Sequence, residues 1–139
     1  MTVPALIGPV VAPELHAMSF NIRRAMEGFA RPKQDRWSVR APAVAEMLRS
    51  ERPTILGLQE VLPGAMRVVT RALGPTHRFI GRGRGREGTG EGTPLVYDAE
   101  RLELRGWEQQ ALSARPDERG SRSWGNLIPR ILVTAEFAD

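Results

Sequence analysis

TILGLQE, residues 54–60, is a mostly apolar run set between Pro53 and Pro63. It is too short for a helix and apolar enough to lie buried as a strand. Its flanks decide the fold. Upstream, Ala41, Val44, Ala45 and Leu48 recur at helical spacing, which predicts a helix over 38–51 with one apolar face. Pro42 is tolerable there only near the first turn, and Pro53 ends the element. Downstream, Pro63 suits the first position of a second helix. Met66, Val69 and Leu73 give that helix a buried stripe, and Gly74-Pro75 stops it. LHAMSFN at 15–21 alternates partly and predicts an earlier strand. The charged segment 23–35, with Gly28 and Pro32, predicts a loop.

Further along, 78–81 reads as a short strand, followed by the glycine-rich loop GRGRGREGTGEG at 81–92, which contains no core residues. Strands are expected at 94–97, 102–107 and 128–137, the last two separated by a polar stretch at 113–126. Strand, helix, strand, helix and then several strands predict an α/β fold, a mixed sheet with helices on one face. Pro4, Pro9 and Pro13 break up residues 1–14, which read as a flexible N-terminal arm ahead of a single unit at 15–139.

The chain has 139 residues, 41% of them hydrophobic, enough for a folded core. It has no cysteine, which excludes disulfides, zinc–thiolate sites and thiol catalysis. The net charge is +4, and Lys33 is the sole lysine among the 20 basic residues. Arginine's planar fork suits phosphate, so the balance is compatible with nucleic acid or another phosphorylated partner; arginine richness also follows from base composition alone. The arm lacks the early positive charge of a signal peptide, and no run approaches the roughly 20 apolar residues of a membrane span. A soluble, cytoplasmic protein is the expectation.

Two polar residues fall where strands should end, Asn21 after the first and Glu60 after the second. In open α/β sheets ligands gather beyond the carboxyl ends of the strands. If the two strands are parallel neighbours, a carboxylate and an amide oxygen share one crevice. That incomplete set of hard donors suits Mg²⁺, or Mn²⁺, which keeps several waters and takes other ligands from a substrate phosphate. Taken singly, Asn21 reads more simply as a turn former and Glu60 as a solvated carboxylate or one near a helix start.

The strings SFNIR at 19–23, DRW at 35–37 and PTILGLQEV at 53–61, in that order, resemble the opening pattern of the endonuclease/exonuclease/phosphatase family. The resemblance continues through GEGTPLVYDAERLEL at 90–104 and GSRSWGNLIPRILVTAEF at 120–137. It implies a partial domain of that family over 15–139, the N-terminal half of a DNase I-like four-layer α/β sandwich. It also implies a Mg²⁺-dependent phosphoester hydrolase, a nuclease, phosphodiesterase or phosphatase. By the same resemblance Asn21 and Glu60 are metal-site residues, Glu91 orients a catalytic histidine, and Arg130 contacts phosphate.

The family pattern goes on to a His in an NTHLD-like string, Asp and Asn in a GDFN-like string, and a closing Asp-His pair. This sequence stops at Asp139, so a missing C-terminal half or a second chain is expected to complete the site. His16, within the first strand, and His77, read as a surface residue, do not substitute. The alternative is a catalytically inactive truncated homologue that binds nucleic acid or a protein. Arg82, Arg84 and Arg86 could wrap phosphate, although the loop lacks the Lys and Ser/Thr of a P-loop and reads more simply as a mobile, solvated segment. Trp37, Trp107 and Trp124 could stack bases, with Trp107 better read as a core-edge residue.

Overall fold

The computed structural model describes residues 4–29 and 32–139; residues 1–3 of the arm and 30–31 of the first loop lie outside the described residues. The elements are β1 (Ala17–Asn21), a 3-10 turn (Lys33–Asp35), α1 (Trp37–Glu51), β2 (Ile55–Gln59), α2 (Pro63–Leu73), β3 (His77–Ile80), β4 (Leu95–Asp98), β5 (Glu103–Ala111) and β6 (Ile131–Ala138).

Four strands form a mixed sheet in the order β1-β2-β4-β3. β1 and β2 run parallel, with Asn21 opposite Gln59, while β4 is antiparallel to both β2 and β3. The period-2 alternation of the strands sorts their side chains between two cores. Leu56 and Leu58 of β2 and Val96 of β4 join Val44, Ala45 and Leu48 of α1 and Ala65, Met66 and Val69 of α2. Both helices therefore cover one face of the sheet, as predicted. Ile55, Leu95 and Tyr97 point the other way and pack with Val133, Ala135 and Phe137 of β6; the Tyr97 and Phe137 rings lie 4.9 Å apart. The antiparallel β5–β6 pair thus shields the face that a bare four-stranded sheet would expose.

Several local expectations are corrected. Pro42 lies five residues after Trp37, inside α1 rather than in its first turn; its missing N–H forfeits the bond to the Ser38 carbonyl, and its exposure lets water serve that carbonyl. His77 is buried, 7% exposed: its Nε2–H donates to the Pro53 carbonyl (2.9 Å), leaving Nδ1 to accept from the Thr76 hydroxyl (3.1 Å). His16 precedes β1 and is also buried, its Nδ1–H donating to the Gly8 carbonyl (3.0 Å). Trp107, 39% exposed, is capped by the Arg82 guanidinium 5.5 Å from the ring centroid rather than tucked into a core. The arm is tied down where the amides of Leu6, Ile7 and Gly8 donate to the Glu51 carboxylate, and again where the Gly8 carbonyl meets His16 and the Glu14 carbonyl accepts from Arg101.

The glycine-rich loop is a built hairpin, not a solvated strand of string. Gly83 N–H donates to Gly88 O, Arg84 N–H to Glu91 O, and Gly85 N–H to Thr89 O. A Cβ at Gly83 would run into the Thr89 backbone, so the close approach of the two arms needs glycine there. Among the described residues, no helix is long and apolar enough to cross a membrane.

Candidate functional site

The parallel pairing of β1 and β2 brings their carboxyl ends side by side. Ile22 N–H donates to the Gln59 carbonyl (3.3 Å) just past the last register pair. Two residues here adopt positive φ without being glycine, Arg23 (φ 55°) and Glu60 (φ 60°). Backbone strain of this kind persists where the surroundings over-determine it, and it clusters at functional sites. At Glu60 it turns the chain sharply from β2 toward α2 while the carboxylate reaches back to the β1 loop.

Asn21 and Glu60 meet directly. Asn21 Nδ2 donates to Glu60 Oε1 (3.0 Å), Arg24 N–H donates to Glu60 Oε2 (2.8 Å), and Asn21 Oδ1 accepts from Arg23 N–H (2.8 Å). The Arg24 amide first, and the Asn21 amide next, hold the Glu60 carboxyl below its ordinary range, outweighing partial desolvation. The arrangement differs from a shared pair of ion ligands: Asn21 spends its oxygen on the turn and its NH₂ on aiming Glu60. The carboxylate remains the ionised group with spare lone pairs.

The two residues share a cleft of about 350 Å³ with Glu91 and Arg130, so all four residues singled out in the sequence line one cavity. Glu91 is held between two guanidiniums, Arg24 (2.8 Å) and Arg84 (2.7 Å). Within the described chain its partners are therefore arginines rather than a histidine. Arg130 is exposed just ahead of β6. Leu112, Pro129 and Thr93 complete the walls. Neither His16 nor His77 lines this cleft.

Arg24 and Arg40 escape the sequence reading, which treats Arg84 only as one of three loop arginines that could wrap phosphate. Arg24 supplies both an amide to Glu60 and a guanidinium to Glu91. Arg84 reaches the cleft, whereas Arg82 covers Trp107 and Arg86 faces Glu118 at 3.8 Å, so the loop arginines go to three separate places. Arg40 of α1 donates to the carbonyls of Ile22 (2.7 Å), Arg23 (3.2 Å), Arg24 (3.1 Å) and Asp35 (3.0 Å). One rigid fork thereby fixes the loop that follows Asn21 and carries Arg24. Only the density of arginine near 23–40 hinted at this, because a guanidinium–carbonyl contact has no sequence spacing of its own.

A hard cation fits these donors in part. Among the described residues no three His, Cys, Asp or Glu side chains converge on one point, which argues against a closed site such as structural zinc. An ionised carboxylate at the rim of a polar cleft fits an ion that keeps most of its waters.

No family model and no curated protein matches the sequence. Solved structures do. An endonuclease/exonuclease/phosphatase from Bacteroides vulgatus superposes with a TM-score of 0.80 at 28% identity, over 90% of this chain and 47% of that one. An endonuclease/exonuclease/phosphatase family protein from Bacteroides thetaiotaomicron gives 0.78 at 30% identity, over 88% and 43%. A mannosyl-6-phosphatase from the same species gives 0.79 at 29%, over 89% and 46%. The chain spans less than half the length of each. With the mixed sheet, the strand-end cleft and the FNIR and LQE strings in agreement, the chain belongs to the endonuclease/exonuclease/phosphatase family and carries part of that family's domain.

Proposed function

We propose that this chain supplies the cation- and phosphate-binding portion of a metal-dependent phosphoester hydrolase. The observation that carries the reading is the convergence of Asn21, Glu60, Glu91 and Arg130 on one cleft. Glu60 would hold a hydrated Mg²⁺ or Mn²⁺, its carboxylate kept ionised and aimed by the Arg24 amide and Asn21. Such an ion, when bound, neutralises charge on a phosphoryl oxygen and orients the reacting group. Arg130 and Arg84 would receive the remaining phosphate oxygens through bidentate contacts. Glu91 would release Arg84 to the substrate, and in a completed domain would orient a histidine. The mannosyl-6-phosphatase among the neighbours supports phosphoester chemistry at such a site.

A second reading, a binding module without turnover, is favoured by the placement of the two histidines. Both are buried away from the cleft, so within these residues no imidazole can activate water. Loss of a general base costs roughly 10²–10⁴ in rate. The test is release of nitrophenol from bis(4-nitrophenyl) phosphate and 4-nitrophenyl phosphate with and without Mg²⁺, in the native chain and in Glu60→Ala. Slow, Mg²⁺-dependent release that Glu60→Ala removes supports the hydrolase. Equal release from both proteins contradicts the assignment of Glu60. No release, with Mg²⁺-dependent phosphate binding retained, supports the binding module.

A further inference from the structure

The cleft has two unlike sides. The four-stranded sheet and the loop leading into β4 contribute Asn21, Gln59, Glu60, Arg84, Glu91 and Thr93, all polar. The β5–β6 layer contributes Leu112, Pro129 and Ile131, with Arg130 as its one charged member. The scheme above uses the polar side and Arg130, and leaves the apolar side chains without a role.

The apolar side is firmly built. Leu112 N–H donates to the Arg130 carbonyl (2.8 Å), extending the ladder in which Ala111 pairs with Ile131. Ile131 shares the strand parity of Val133, Ala135 and Phe137, so it points toward the four-stranded sheet. Leu112 nevertheless stays 44% exposed, and Pro129 and Ile131 are only half-buried. Leu127 and Ile128, directly before Pro129, are 85% and 43% exposed. Apolar side chains exposed singly need no explanation, but a group of them at a cleft marks a binding surface.

Several polar side chains across the cleft are already engaged. Asn21 spends its amide group on Glu60 and the Arg23 N–H. Gln59 donates Nε2 to the Ser19 hydroxyl (3.3 Å) and the Gly57 carbonyl (3.2 Å). Glu91 is held by Arg24 and Arg84.

We infer that Leu112, Pro129 and Ile131 form a subsite for the alcohol portion of the phosphoester, and that this portion is apolar. The inference rests on the proposed phosphate cleft. Both sides line one cavity of about 350 Å³, a volume within the range of ligand pockets, so one molecule can meet both without crossing a strand pair. Arg130, the proposed phosphate contact, lies between Pro129 and Ile131 in the chain, which brings an ester substituent beside them. A polyhydroxylated sugar would set hydroxyls against leucine, proline and isoleucine and leave them unpaired. An apolar group covers the same surface without that penalty.

Nuclear magnetic resonance of the ¹⁵N- and methyl-¹³C-labelled chain in Mg²⁺, titrated with inorganic phosphate, phenyl phosphate and a hexose 6-phosphate, tests it. The Arg84 and Glu91 amides report the polar side; ring-current shifts at the Leu112 and Ile131 methyls report the apolar side. The expected result is that all three ligands move the two amides and that phenyl phosphate alone gives ring-current shifts at both residues, binding roughly tenfold more tightly than the others. Leu112→Asn and Ile131→Thr should each cut that advantage to roughly twofold or less, while Leu112→Met retains it. Moving amides with silent methyls overturn the subsite and leave the cleft intact. An advantage that survives both polar variants also overturns it. Silent amides with every ligand defeat the proposed function, and the subsite with it.

Discussion

Glu51 and Glu60 are two carboxylates with the same titration signature and opposite fates. Each sits at the end of a regular element, each accepts amide N–H groups from a segment earlier in the chain, and each is held below the ordinary glutamate range chiefly by those amides. Glu51 ends α1, is 5% exposed, and takes Leu6 N–H (2.6 Å) on one oxygen and Ile7 and Gly8 N–H (3.2 and 3.1 Å) on the other. Glu60 takes only Asn21 and Arg24 and faces a cleft lined by two arginines. A carboxylate has roughly four acceptor sites. Glu51 spends most of them on holding the arm to the fold, while Glu60 keeps a share for something that enters from solvent. A depressed carboxyl is thus not by itself a mark of function; what the group leaves free is.

The widest separation between the two should come from Glu51→Ala. Three amides, two of them partly buried and one buried, lose a charged acceptor, and stability should fall by about 1–3 kcal/mol, read as a lower urea midpoint, with Mn²⁺ affinity unchanged. Loss of ion binding without loss of stability would erase the contrast.

Next is the fork that shapes the Glu60 side. Arg40→Lys replaces four directed carbonyl contacts with a point charge. Ion affinity should drop roughly tenfold, as for other residues that orient a ligand from behind, with the far-UV circular dichroism preserved. Arg40→Lys binding Mn²⁺ as tightly as the native chain would show that the loop needs no clamp.

Acid should then reveal both carboxylates. Their folded pKa values lie below the unfolded one, so the stability they contribute is complete above about pH 4.3 and is lost as pH falls through the lower folded values. Thermal midpoints from pH 7 to pH 3 should decline at the acid end, and Glu51→Gln should flatten that decline more than Glu60→Gln, because solvent near the cleft screens Glu60.

The smallest effect belongs to Glu91→Gln. Its pairs with Arg24 and Arg84 are near the surface, where such bridges contribute about 0–1 kcal/mol. Stability should hardly move, while phosphate affinity should rise roughly twofold as the arginines are released. A marked fall in phosphate affinity would place Glu91 among the groups that bind it.

How much of this could be read in advance depends on whether a residue's partner is local. α2 was legible because Pro63, the Met66–Val69–Leu73 stripe and Gly74 each act within one helix. The meeting of Asn21 and Glu60 was legible because parallel neighbours in equal register must end together. His77 misled because a polar residue after a helix stop looks solvated; its burial depends on the Pro53 carbonyl, 24 positions away. The glycine-rich loop misled because its order comes from cross-arm backbone bonds that composition does not encode. The roles of Arg24, Arg40 and Arg84 rest on guanidinium contacts with no periodicity. The cover that β5–β6 gives the sheet depended on where the pair folds back, which alternation alone left open.

The central claim is that Glu60 holds a divalent cation at the shared end of β1 and β2. The most direct measurement is electron paramagnetic resonance of free Mn²⁺ titrated with the chain, for the native protein and for Glu60→Gln, with inorganic phosphate added to each. The account predicts one Mn²⁺ site in the native chain, tightened by phosphate and competed by Mg²⁺, and its loss in Glu60→Gln with the fold retained. Equal Mn²⁺ uptake by the two proteins would contradict it.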